Sequence, residues 1–131
     1  MIPSSTRSTA SAERGSVSVV AAAALVVCVV LAMLTVDAAR ALVASARAQA
    51  GADAAALAAA QELAMPTGRD PAALAGEYAG RNGGTLLRCD CPAGGTAAVV
   101  EVRVPMGPML LLPDGRSASA RARAVVDWAS A

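Results

Sequence analysis

The sequence has no histidine, no lysine and no phenylalanine, and holds one tyrosine and one tryptophan among 131 residues. Without histidine the commonest general base and the commonest metal ligand are both missing. Asp, Glu and Cys would have to carry any catalysis, and no nucleophile here has an identifiable base, so enzymatic activity is not expected. The shortage of rings removes aromatic anchoring of a core or a ligand pocket, and with it the case for a small-molecule substrate or a cofactor. Every basic residue is an arginine, and the 11 of them against 10 acids leave a net charge of +1. A nucleic-acid binder would show a clustered basic face, so no nucleic-acid partner is expected either.

Cysteine is scarce as well, at three residues. Cys28 falls inside an apolar run, where a thiol is a small apolar side chain. Cys89 and Cys91 stand two apart in Arg88-Cys89-Asp90-Cys91. Two thiols with no histidine and no second pair fall short of the four ligands of a zinc site, so no metal is expected. In an exported domain they would oxidise, although positions two apart in extended chain approach the upper limit of disulfide Cα separation. Two free thiols, or one pairing with another chain, are the alternative.

What the chain does contain is a run of twenty uncharged residues, Val17 to Val36 (VSVVAAAALVVCVVLAMLTV). At about 1.5 Å per residue a helix of that length spans roughly 30 Å, the thickness of a bilayer's hydrocarbon core. A secretory signal peptide has a shorter apolar run followed by a small-x-small cleavage site. Ala39-Arg40-Ala41 has that form, but the run before it is long and the helix signal continues across it, so an uncleaved signal anchor is the preferred reading. Arg7 and Arg14 on one side face Arg40 and Arg47 on the other, and the positive-inside rule discriminates poorly. The short Ser/Thr-rich tail and the cysteine pair place the N-terminus in the cytoplasm and the C-terminal part outside.

From Asp37 to Ala64 there is no proline, one glycine and an abundance of alanine, the strongest helix former. One helix is therefore predicted over residues 16–64, about 73 Å long, with a disordered cytoplasmic tail over 1–15 and a small exported head over 65–131. Leu42, Ala46, Ala50, Asp53 or Ala54, Leu57, Ala60 and Ala64 recur at three- and four-residue steps along one helix face. Small residues on such a seam let a neighbouring backbone approach closely; the plainer reading is an alanine-rich helix lying on its own head. Gly51 costs about 1 kcal/mol relative to Ala and marks either a soft point or a close contact. Asp53 is read first as facing water, and second as a salt-bridge partner for another helix.

The head reads as α+β. Pro66 ends the long helix. Asp70 caps and Pro71 opens a second helix through Arg81, closed by Asn82-Gly83-Gly84. Thr85 to Cys89, Ala97 to Val104 and Ser117 to Val126 read as strands, the last two alternating strictly. A small antiparallel sheet with one polar face, covered by helix, follows. Between the last two strands Met109 to Leu112 forms an apolar tip bracketed by prolines, which could pack inward, touch the membrane surface or bind a partner.

The motif Glu13-Arg14-Gly15-Ser16, the apolar anchor, the run Arg47 to Ala60 and the alternation of Ala118, Ala120, Ala122 and Ala124 together resemble the TadE/TadG-like proteins of tight-adherence (Flp) pilus systems, in particular the short actinobacterial TadE-like members. The resemblance implies a minor pseudopilin whose partners are the membrane and other pseudopilin or secretion-machinery subunits. It also implies processing between Gly15 and Ser16. The family pattern has a Glu five residues beyond that glycine, where this chain has Val20. Two further readings remain: a bitopic accessory subunit that pairs laterally with one membrane partner, and a small secreted binding protein released after Ala41.

Overall fold

The computed structural model describes residues 9–127. It contains one long helix, α1 (Thr9–Ala64), a short helix, α2 (Pro71–Arg81), and three strands, β1 (Thr85–Asp90), β2 (Ala97–Pro105) and β3 (Ser117–Val125). The strands form one antiparallel sheet in the order β1-β2-β3. The architecture is the α+β arrangement read from the sequence. One boundary moves: α1 begins at Thr9 rather than Ser16. No proline follows Pro3 in this stretch, and Gly15 alone cannot stop a helix flanked by alanine and valine. The first eight residues of the expected tail lie outside the described residues.

The sheet face is set by the period of two along β2 and β3. Ala98, Val100, Val102 and Val104 are buried, whereas Arg103 is exposed on the other side. Along β3, Ala118, Ala120, Ala122 and Ala124 point the same way as the β2 valines, opposite the exposed Ser119, Arg121 and Arg123. Because the inward side of β3 carries only methyl groups, α1 can lie close against it. From α1 the residues that fill this contact are Ala44, Ala48, Ala52, Ala55 and Ala59, all buried. The core therefore belongs jointly to the stalk and the head, and Ala64 marks the end of a helix rather than the edge of an independent core.

α2 packs on α1 and adds Ala75 and Ala79 to the same cluster. Its ends follow from local chemistry. The Asp70 carboxylate accepts from the amides of Ala72 and Ala73, and Pro71 occupies the first turn, where an N–H would be unpaired anyway. At the other end the Gly83 and Gly84 amides donate to the carbonyls of Gly80 and Ala79, with Gly83 at φ 75°; this is the left-handed closure that favours glycine. Gly51 is a close contact rather than a soft point, since a Cβ there would sit 3.3 Å from Asn82 Cβ and 3.4 Å from Val102 Cγ1.

Two glycines in this part of the chain should respond oppositely to the same change. A Cβ on Gly84 would meet Val102 Cγ1 at 2.6 Å and Val104 Cγ2 at 3.1 Å, so Gly84→Ala is expected to overpack the core and cost about 1–3 kcal/mol. Gly76, inside α2, has nothing within 4 Å of its would-be Cβ, and Gly76→Ala should stabilise by about 0.4–1 kcal/mol. Urea denaturation of the detergent-solubilised chain measures both.

Candidate functional site

The lower part of α1 is apolar all round and exposed along nearly its whole length, with only Met33 half-buried between residues 14 and 36. Among the described residues it is the one helix long and apolar enough to cross a membrane, and the apolar window that qualifies it is wholly unburied. A helix hydrophobic on every side and bare of protein is suited to lipid. Gly15 and Ser16 lie in its first turns, exposed, with open space around Gly15.

Above the apolar run α1 has two faces. At about 100° per residue, the buried row Ala44, Ala48, Ala52, Ala55 and Ala59 and the row Leu42, Ala46, Ala50, Asp53 and Leu57 lie on nearly opposite sides. The first row carries the head. The second is exposed throughout, with Leu42 at 72% and Leu57 at 53% of full exposure. At the top of this second row Ala60 is fully buried and Ala64 half-buried, so the open seam ends at Leu57. Asp53 faces solvent and accepts a 2.9 Å hydrogen bond from Gln49 Nε2.

Two buried acids have roles that the sequence did not disclose. Asp37, the first residue after the apolar run, is 1% exposed. Its Oδ1 accepts from the Leu110 amide at 2.8 Å, and its Oδ2 accepts from the amides of Leu111 at 2.9 Å and Leu112 at 3.1 Å. One turn along, Arg40 donates to the Pro108 carbonyl. Together they clamp the β2–β3 loop against α1 across 68 to 75 residues of chain. The donors from Leu110 and Leu111 hold the Asp37 carboxyl below the ordinary aspartate range; burial opposes them, and Leu112 and Arg40 add to the lowering.

Glu62 performs the same task at the other end of α1. It accepts from the Thr67 hydroxyl at 2.8 Å and from the amides of Thr67 at 2.7 Å and Arg69 at 3.1 Å, which fixes the turn into α2. The Thr67 hydroxyl contributes most to holding its carboxyl below the usual glutamate range. At the end of the sheet remote from the Asp37 clamp, Cys89 and Cys91 are joined by a disulfide with Cα atoms 5.6 Å apart.

Residues 15–62 match the model of the family described as "Putative Flp pilus-assembly TadE/G-like". The long helix is similar to that family. The matched segment lies wholly within α1 and includes both its apolar run and its alanine faces. No curated protein and no solved structure matches the chain.

The clamp has a definite pH signature. Because the folded pKa of Asp37 is lowered, its contribution to stability is fully present above the ordinary aspartate pKa and is lost as pH falls through the lowered folded value. The Leu110 to Leu112 amide resonances should thus be invariant across the neutral range and move together only in acid, below the ordinary aspartate midpoint. In Asp37→Asn, whose amide group offers donors where acceptors are needed, hydrogen exchange at Leu110 to Leu112 should be fast at neutral pH while Val100 and Val102 stay protected.

Proposed function

We propose that this chain is a non-enzymatic, minor pseudopilin-like component of a Flp/Tad pilus or type II-like secretion assembly, held by α1 in the plasma membrane with its head on the extracytoplasmic side. The observation that carries this reading is the coincidence of the TadE/G-like match with a single unbroken helix. That helix is bare and apolar below, and above it presents an exposed seam rich in small residues on the side away from its own head. Such a helix can sit in lipid with its lower half and pack against other helices with its upper half, while the head stays on the outside of the bundle. The disulfide supports the extracytoplasmic placement, because disulfides persist in oxidising compartments.

The reading in which a secreted protein is released after Ala41 loses support from the clamp. Cleavage there would remove Asp37 and Arg40, leaving three loop amides without their acceptor and the head without its lower tether. Cleavage between Gly15 and Ser16 would leave every head contact intact. Lateral pairing with one membrane protein outside any filament is the remaining rival, and it would use the same seam.

Cysteines placed at Ala46 and Ala50 separate these possibilities. In membranes of cells assembling the system, oxidation should join A46C or A50C to a second copy or to another single-pass subunit of the assembly, and cysteines at the buried Ala48 should remain uncoupled. Cross-links formed exclusively to one polytopic or unrelated membrane protein would favour the accessory-subunit reading, and their absence at both seam positions would overturn helix packing through this face. Intact mass of the extracted protein should show the full chain or loss of residues 1–15, with two hydrogens fewer than the reduced form for the Cys89–Cys91 bond.

A further inference from the structure

The loop between β2 and β3 combines two properties that rarely meet in an exposed segment. Its tip is apolar and open: Leu110, Leu111 and Leu112 are 50%, 45% and 40% exposed. From Pro108 to Pro113 its backbone is nevertheless without free donors. Pro108 and Pro113 have no N–H; the Met109 amide donates to Asp114 Oδ1 at 2.9 Å, and those of Leu110, Leu111 and Leu112 donate to Asp37. Six consecutive residues, Pro108 to Pro113, therefore present leucine side chains to the surroundings and no unpaired amide.

Irregular backbone is excluded from hydrocarbon because each unsatisfied polar group there costs several kcal/mol. This loop has removed that obstacle on its donor side by proline and by carboxylate. Its position gives the reason. Asp37 directly follows Val36, the last residue of the apolar run, and successive residues of a helix are about 1.5 Å apart along its axis. The three leucine amides lie within 3.1 Å of the Asp37 carboxylate, so the leucines are held at the level where the hydrocarbon ends. Arg40 and Arg116 flank the loop, and the Asp37 and Asp114 carboxylates that bind its amides balance their charge, so what the loop offers a bilayer is apolar contact.

We propose that the Pro108–Pro113 loop is a second membrane contact: its three leucines insert into the interfacial layer of the bilayer that α1 crosses, and Asp37 holds them there. The inference rests on the reading of α1 as a membrane anchor and does not depend on which side of the membrane the head occupies. The contact makes the head lie down on the lipid surface instead of swinging about the helix. A partner protein or a second copy covering the leucines is the competing occupant. The bilayer is favoured because continuity with the end of the apolar run places lipid headgroups at the loop in every copy whose anchor spans the membrane.

The test uses the full chain reconstituted in vesicles of mixed zwitterionic and anionic phospholipid, with Cys28→Ala and a single environment-sensitive fluorophore on L111C. The same probe on L25C reports the anchor and on A93C the remote end of the head. Lipids carrying a nitroxide high on the acyl chain should quench most of the Leu111 signal, with a blue-shifted emission and little quenching by aqueous iodide, and should leave the Ala93 signal unchanged. Adding Asp37→Asn should restore most of the Leu111 fluorescence and leave Leu25 quenched by deep nitroxides.

If Leu25 is quenched and Leu111 is reached by iodide instead of lipid, the loop proposal is overturned and the anchor stands. If Leu111 is shielded from both quenchers, protein covers it and the proposal is equally overturned. If Leu25 itself is untouched by lipid quenchers, the anchor reading fails first.

Discussion

The close approach of α1 to the sheet is the contact on which the head depends, and alanine on both sides makes it possible. Ala44, Ala48, Ala52, Ala55 and Ala59 meet Ala118 and the buried valines of β2. Each alanine methyl brings little transfer energy, on the order of 0.8 kcal/mol per buried carbon, against about 1.5–3 kcal/mol for a whole valine. A small head without phenylalanine cannot compensate with a few large side chains, so it draws on many short contacts along a helix that exists for another reason. The helix needed to leave the membrane is also the largest part of the head's core. Separating the two would expose the inner faces of β2 and β3 together.

That economy explains why the two acids engaged inside the molecule sit at the two ends of the shared segment. Asp37 ties the bottom of the sheet to α1 through the β2–β3 loop, and Glu62 ties the top through the turn into α2. Both use a carboxylate to gather backbone amides that lack sheet or helix partners. Alanine packing alone has little shape to set the position of the sheet along the helix, because methyl rows slide past each other with small change in contact. Charge-assisted hydrogen bonds to named amides are directional and discrete, and they supply that setting.

Much of this was legible in the residues. The twenty-residue run, the period of two in Ala97 to Val104, and the sequence Asp70-Pro71 to Asn82-Gly83-Gly84 each carry their meaning locally, and the structure places helix and strand there within a residue or two. The small inward side of β3 pointed to a covering helix. What could not be read was the pairing of Asp37 with residues 73 to 75 positions away. An acid that ends an apolar run looks like any solvated boundary residue, and a proline-bracketed leucine tip looks like any loop. Only the fold brings them together. The residues Leu42, Ala46, Ala50, Asp53 and Leu57 form one exposed face, and the burial of Ala60 above them, which no local pattern announces, closes that face at Leu57.

The same accounting of partners limits how α1 can be ordered against neighbours. Of its charged side chains beyond the apolar run, Asp37, Arg40 and Glu62 are engaged within the molecule, which leaves Arg47 and Asp53 facing outward. Inside the apolar run Val20 is an exposed apolar residue, and no charged side chain there can pair with a neighbour inside lipid. The seam's own charge is Asp53, one turn above Ala50. Arg47 lies about 100° round the helix from the seam, bordering the same cavity as Pro105 and Met106. Any electrostatic setting of one α1 against another through the seam therefore rests on Asp53. Its charge and the small side chains of Ala46 and Ala50, where two helices can approach most closely, meet on the side that the head leaves open.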